Sequence, residues 1–236
     1  MTVMEHDMPK DRTKAGVAAA IDHSVLKATA TERQVRDCCA EALSNGFAAV
    51  CVNPHWVPLC AAELAGTGVT VCAVVGFPLG ANASPVKAEE ARLAVAQGAR
   101  ELDMVINVGA AKSGRWDEVE ADIRAVVEAA GTAVVKAIIE ACYLTDGEKV
   151  KACEAAERAG AGFVMTSTGF GTGGASAEDV RLIRATVGDR LKVKASGGIR
   201  SPHDALRMLE AGADRLGASG GVAIVAELAG QAGGGE

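Results

Sequence analysis

A single-domain α/β fold, a (β/α)8 or TIM barrel, is what this sequence predicts, on three observations. First, a phrase recurs: "SNGFAAVCV", "AQGARELDMVI", "RAGAGFVMTS" and "EAGADRLGAS" each place a glycine after a helical pattern and just before a short apolar run. Those glycines, Gly46, Gly98, Gly160 and Gly212, are what a helix C-terminus needs where φ turns positive. Second, the intervals between them are long enough for two βα units each, and the missing strands are there: "VTVCAVVGFP", "TAVVKAIIE" and "LKVKASGGI", with "VAAAIDHSVL" before the first. Third, the resulting eight short runs are rich in Val, Ile and Ala and alternate with helical patterns, the signature of parallel strands wrapped by helices. A doubly wound open sheet is the competing architecture, and it lacks support because no GxGxxG follows the first strand.

In chain order, residues 1–14 form a polar N-terminal segment, residues 15–230 the barrel, and residues 231–236 a glycine-rich tail. "VAAAIDHSVL" is expected to be the first strand. "TERQVRDCCAEALSN" follows as a helix, opened by a threonine and an acidic residue, the N-cap and first-turn chemistry. The same logic assigns helices to "SPVKAEEARLAVAQ", "RWDEVEADIRAVVEAA", "TDGEKVKACEAAERA" and "SAEDVRLIRATV". The stretch "ELAGQAGGGE" carries no core pattern and is expected to fray after the last helix.

Composition excludes several classes. Of the 236 residues 49% are hydrophobic, which rules out a disordered acidic chain, and with aromatics at 3% the core must be built from aliphatic residues. A net charge of -6, with no basic stripe, disfavours nucleic acid as a partner. It does not exclude a small anion, because helix N-termini and one or two lysines make a local positive site. Seven cysteines without a CxxC pair or histidine cluster argue against a disulfide framework and against a zinc site. No apolar run is long enough to span a membrane, and the expected location is cytoplasmic, with reduced thiols.

Chemistry in such a barrel gathers at the C-terminal ends of the strands. The polar residues predicted there are Asp22, Cys51, Asn53, Asp103, Asn107, Lys136, Glu140, Thr166 to Gly169, Lys194, Ser196 to Gly198 and Ser219. Asp103 lies between Leu102 and Met104 on a core strand, and reads equally as a paired structural carboxylate or as a proton shuttle. Lys136 and Lys194 lie on apolar strands, where an inward ammonium must be paired or functional. Two such lysines point to an amine or anion site, each expected to depress the other's pKa. "TSTGFGTGG", "SGGI" and "GASGG" follow strands six, seven and eight, where barrels bind phosphate on backbone N–H groups. His23 and His55 have no partner at ligand spacing and read as structural or rim residues, while Cys51 reads as a small buried hydrophobe on the pocket wall.

Taken together, "IDHSVLKATAT", "VCVNPHWV", "GFPLGA", "ELDMVINVG", "VKAIIE", "TSTGFGTGGAS", "VKASGGIR" and "GADRLGAS" closely resemble the deoxyribose-phosphate aldolases, in consistent order from Ile21 to Val225. The resemblance implies a metal-free class I aldolase that reversibly cleaves 2-deoxy-D-ribose 5-phosphate to acetaldehyde and D-glyceraldehyde 3-phosphate through a lysine imine. It implies a small phosphorylated sugar and aldehydes as ligands, and a homodimer. It assigns Asp103 as the proton-moving aspartate, Lys194 as the second lysine and Asp22 as a strand-one site residue. Thr168, Gly169, Gly197, Gly198, Ser219 and Gly220 match the phosphate turns.

The chain departs from the family pattern at one decisive place. The imine-forming lysine belongs at position 165, in a "KTSTG" pattern, and here the sequence reads "MTSTG", with Met165. A thioether cannot form an imine, so turnover by the usual route is expected to be lost. Three readings follow: an inactivating replacement in an otherwise complete aldolase site, a repurposed barrel using Lys194 as the amine, or a non-catalytic sugar-phosphate binding protein. Two smaller departures are Ala141 where the family has threonine, and the lack of a terminal tyrosine, Tyr143 being the chain's only one.

Overall fold

The computed structural model describes residues 12–232. Eight parallel strands close into a barrel in sequential order, so each strand's neighbours in space are its neighbours in sequence and the last returns to the first. They are β1 Ile21–Val25, β2 Ala49–Val52, β3 Thr70–Val75, β4 Glu101–Val105, β5 Val134–Ile138, β6 Phe163–Met165, β7 Lys192–Ser196 and β8 Arg215–Ala218. The helices are α1 Lys14–Ala19, α2 Glu32–Asn45, α3 Val57–Glu63, α4 Ser84–Ala96, α5 Val108–Lys112, α6 Trp116–Ala130, α7 Asp146–Ala159, α8 Ala177–Val187, α9 Pro202–Glu210 and α10 Gly221–Ala232. Short 3-10 turns at Pro54–Trp56 and Ala141–Tyr143 complete the loops after β2 and β5.

Local sequence explains the boundaries. Thr31 and Thr145 close capping boxes with Gln34 and Glu148, satisfying backbone donors at the starts of α2 and α7, and Ser201 does the same with Asp204 on α9. Gly46 and Gly160 end α2 and α7 in the left-handed region, as the recurring phrase requires. Two expectations are corrected. Residues 17–19, read as the start of the first strand, instead end a helix over Lys14–Ala19, because an alanine-rich run capped by Thr13 favours helix and offers no two-residue alternation. In "ELAGQAGGGE", residues 227–232 continue α10 rather than fraying, and the remaining four lie outside the described residues.

Aliphatic side chains from the outer strand faces and the helices form one continuous core, with Val50, Leu102, Ile139, Val193 and Leu216 fully buried in it. Inside the barrel the pattern differs. Alternation turns Asp22, Cys51, Asp103, Lys136, Met165 and Lys194 inward, and the apolar groups among them are only two small clusters. The charged side chains Asp22, Asp103, Lys136 and Lys194 are each 1% exposed or less. Burial of four charges in a barrel interior requires that they satisfy one another.

Candidate active site

A cavity of about 730 Å³ opens at the C-terminal end of the barrel. Its floor holds Asp22, Cys51, Asp103 and Lys194, all placed there by strand alternation. Lys194 Nζ donates to Asp22 Oδ2 and to Asp103 Oδ2, each at 2.5 Å. Gly217, opposite on β8, makes this reach possible, since a Cβ there would stand 3.2 Å from Lys194 Cε and 2.7 Å from Ser196 Oγ.

Asp103 is the most heavily engaged group. Its Oδ1 accepts from Lys136 at 2.9 Å and from the Cys72 thiol at 3.2 Å, while Cys51 donates to Oδ2 at 3.6 Å. Burial would push this carboxyl's pKa up, but Lys136 and Lys194 overrule it and hold it well below the usual range. Asp22 is likewise lowered, burial being outweighed by Lys194, Lys136 and Arg215. Cys51, Cys72 and Asp103 converge within 4.8 Å, yet this carboxylate is already shared by two ammonium groups, a cationic setting hostile to a metal ion.

The mutual depression of the two lysines that the sequence suggested is outweighed, and both end above the ordinary lysine value. Burial lowers the Lys194 pKa, but Asp103 and Asp22 more than reverse this and leave it above the ordinary lysine value, with Lys136 only partly opposing. Lys136 is raised too, burial being outweighed by the carboxylates of Asp103, Asp22 and Glu101. Carboxylates at contact distance outweigh a like charge beyond them. Lys136 also lies off the cavity wall, fully buried and in contact with Glu101 at 2.5 Å, so it supports the floor rather than touching a ligand.

Met165 is the last residue of β6, paired in register with Ile138 on one side and Lys194 on the other. It is 4% exposed, lies on the cavity wall and packs with Val105, Ile138 and Phe77. Its side chain enters the same cavity as that of Lys194, its register partner on β7.

The upper wall is built from the loops after β6, β7 and β8. Thr168, Gly169, Gly197, Gly198 and Ser219 line it, while Gly220 stands just off the wall before the first turn of α10. Gly197 and Gly198 both have positive φ, a turn of the kind whose N–H groups cradle anions. The loops nest through glycine: a Cβ on Gly174 would stand 2.3 Å from the Gly197 carbonyl oxygen, and Ala175 N–H donates to that oxygen at 2.9 Å. Glu140, strained at φ 50°, anchors this layer by accepting from the Thr168 N–H at 3.1 Å and from its hydroxyl at 2.5 Å.

Several residues were not singled out from sequence. Lys27 and Arg200 add exposed cations to the upper wall. Phe77 meets Phe170 edge to face at 5.2 Å, and both line the cavity; Phe170 itself stood out in the sequence, read either as packing on the barrel rim or as shaping the sugar end of the pocket. Glu101 and Arg215 complete the charge pairing beneath the floor. A signal for both existed: each stands two residues before an inward-facing site position, Asp103 and Gly217, and period two turns them inward as well. Ala141 is buried in the outer core, and His23 and His55 keep structural partners, Glu41 at 2.7 Å and the Trp56 ring at 4.7 Å.

Comparison with known proteins agrees with this geometry. A family described as DeoC/LacD family aldolase matches residues 16–227. The chain is 58% identical over 216 residues to a protein of Carboxydothermus hydrogenoformans named deoxyribose-phosphate aldolase, covering 90% of this chain and 95% of that one. It is 60% identical over 209 residues to a protein of the same name from Lysinibacillus sphaericus, covering 88% and 94%. Among solved structures, the deoxyribose phosphate aldolase of Aeropyrum pernix superposes with a TM-score of 0.88 at 33% identity, covering 94% of both chains, and an aldolase designated QR15 with 0.87 at 42%, covering 92% and 97%. A charged barrel floor beneath glycine-lined loops, in a chain matched along almost its whole length, makes this protein a member of the DeoC/LacD aldolase family.

Proposed function

We propose that this barrel is a deoxyribose-phosphate aldolase site, built to hold 2-deoxy-D-ribose 5-phosphate, from which Met165 has removed the imine-forming amine. The observation that carries this reading is the position of Met165: the end of β6, on the cavity wall, between Ile138 and Lys194. Phosphate would sit against the Gly197–Gly198 turn and the start of α10, with Lys27 and Arg200 nearby, and the sugar would extend toward the floor.

In the reaction this site serves, a neutral amine at position 165 adds to the aldehyde carbon of the open-chain sugar and expels water as an iminium forms. The C2–C3 bond then breaks, its electron pair flowing into the iminium, while the C3 hydroxyl gives up its proton and D-glyceraldehyde 3-phosphate leaves. The remaining enamine takes a proton at C2, and water hydrolyses the resulting iminium to acetaldehyde. Asp103 and Lys194, in mutual contact at the floor, are placed to relay those protons. The ammonium of Lys194 also opposes protonation of an amine beside it.

Met165 supplies none of the covalent chemistry and leaves the rest in place. Lys194 is a poor substitute, because two carboxylates hold it as a cation and a protonated amine has no lone pair to offer. The chain is therefore expected to bind the sugar phosphate without turning it over. Titration calorimetry tests this: 2-deoxy-D-ribose 5-phosphate should bind without conversion, 2-deoxy-D-ribose should bind far more weakly, and Arg200→Ala should narrow that difference. Equal affinity for the two sugars would remove the phosphate assignment. A dimer belongs to the same reading, and sedimentation at equilibrium should give twice the chain mass.

A further inference from the structure

The buried and partly buried charges form a closed ring of alternating sign. Arg215 pairs with Asp22, Asp22 with Lys194, Lys194 with Asp103, Asp103 with Lys136, Lys136 with Glu101, and Glu101 with Arg215 again. Two members stand apart from the other four. Glu101 and Arg215 are the first residues of β4 and β8, so they lie at the N-terminal end of the barrel, facing away from the cavity, and neither lines it. Arg215 donates through Nε to Asp22 Oδ1 at 2.7 Å and through both terminal nitrogens to Glu101 at 3.3 Å.

We propose that Arg215 and Glu101 are positioning residues that act through this ring, setting from the far end of the barrel how readily an amine at the mouth loses its proton. The proposal rests on the aldolase reading above. With Met165 the ring holds three cations and three anions and is neutral, so Lys194 has no reason to deprotonate. An amine at position 165 adds a fourth possible cation, and the cheapest way to keep neutrality is for that amine to remain uncharged. Neutrality itself depends on Arg215. Remove its charge and the ring becomes an anion that favours protonation; remove the charge of Glu101 and the ring becomes a cation that opposes it.

The other groups facing Lys194 leave this sign unchanged. Cys51 on β2 and Cys72 on β3 are thiols, and burial pushes Cys72 well above the ordinary thiol range, so it adds no charge. Lys136 on β5 is in the ring, position 165 on β6 is Met165, and Lys192 on β7 is exposed, its ammonium 5.7 Å from the centre of the Phe163 ring.

The test uses the full chain carrying Met165→Lys, with acetaldehyde and cyanoborohydride. The amine and aldehyde condense with loss of water, and hydride from the reductant converts the iminium to a stable secondary amine, counted by mass spectrometry. The initial trapping rate is followed between about pH 5 and pH 9. Its midpoint should rise by about one pH unit or more on adding Arg215→Met, and fall by a similar amount on adding Glu101→Gln. The combination Arg215→Met with Glu101→Gln should return close to the parent, and Arg215→Lys, which keeps the charge, should leave it nearly unmoved. A residue that merely seals the barrel would lower trapping without opposite shifts. Midpoints that stay put, or move together, in variants retaining the parent circular dichroism overturn the proposal. If either single variant fails to fold, the charge-balanced double variant and Arg215→Lys decide, and a midpoint displaced in either one overturns it. No adduct at any pH in Met165→Lys alone would instead overturn the aldolase reading, and this inference with it.

Discussion

Asp103 illustrates what a single side chain does here. It shares one carboxylate between two lysines and two thiols, all four buried with it. Asp103→Asn would leave Lys136 and Lys194 facing a neutral amide, so urea unfolding should show a loss of about 3–5 kcal/mol, the range for breaking a buried ion pair from one side. A loss under about 1 kcal/mol would mean that the ring's remaining carboxylates suffice. Met165 shows the converse economy. An unbranched apolar side chain packs on Val105, Ile138 and Phe77 without leaving a charge to satisfy. The balance of charge around Lys194 was harder to read from sequence. Lys194 and Lys136 were weighed against each other, while the carboxylates that dominate both come from β1 and β4, far away in the chain.

At the level of elements, the loops after β6 and β7 are held by backbone contact rather than by side chains. Gly174→Ala places a methyl against the Gly197 carbonyl and must push the two turns apart. Affinity for 2-deoxy-D-ribose 5-phosphate should drop about tenfold or more by calorimetry, while affinity for the unphosphorylated sugar stays as it was. Equal losses for both would place the phosphate elsewhere. Strands and helices were largely legible, because glycine at the helix ends and threonine or serine at the starts carry their own physical reasons. The first strand was read too long, since alanine fits either pattern, and α5 went unpredicted because five residues around a glycine carry too little periodicity to announce a helix.

Across the whole molecule, the charged ring makes stability a function of pH with a broad plateau. Asp22 and Asp103 have folded pKa values below their unfolded value of about 4, so their contribution is complete above that pH and is lost as pH falls through the folded values. Lys136 and Lys194 have folded values above the unfolded value of about 10.4, so theirs is complete below it and is lost only as pH rises through the folded values. Urea midpoints should be level from about pH 5 to about pH 9 and lower at about pH 3. A midpoint that rises on acidification would contradict the charge assignment. Barrel closure itself was legible in the sequence from eight evenly placed strands. The members of the ring at the N-terminal end were not, since chemistry is sought where strands end rather than where they begin.

The account turns on position 165, and trapping with acetaldehyde and borohydride followed by peptide mass spectrometry tests it most directly. This chain should remain unmodified and inactive, while Met165→Lys should be reduced onto the new amine and cleave 2-deoxy-D-ribose 5-phosphate faster by a factor on the order of 10³ or more. Reduction of the unaltered chain onto Lys194 would contradict it, showing that the ammonium in the ring gives up its proton after all.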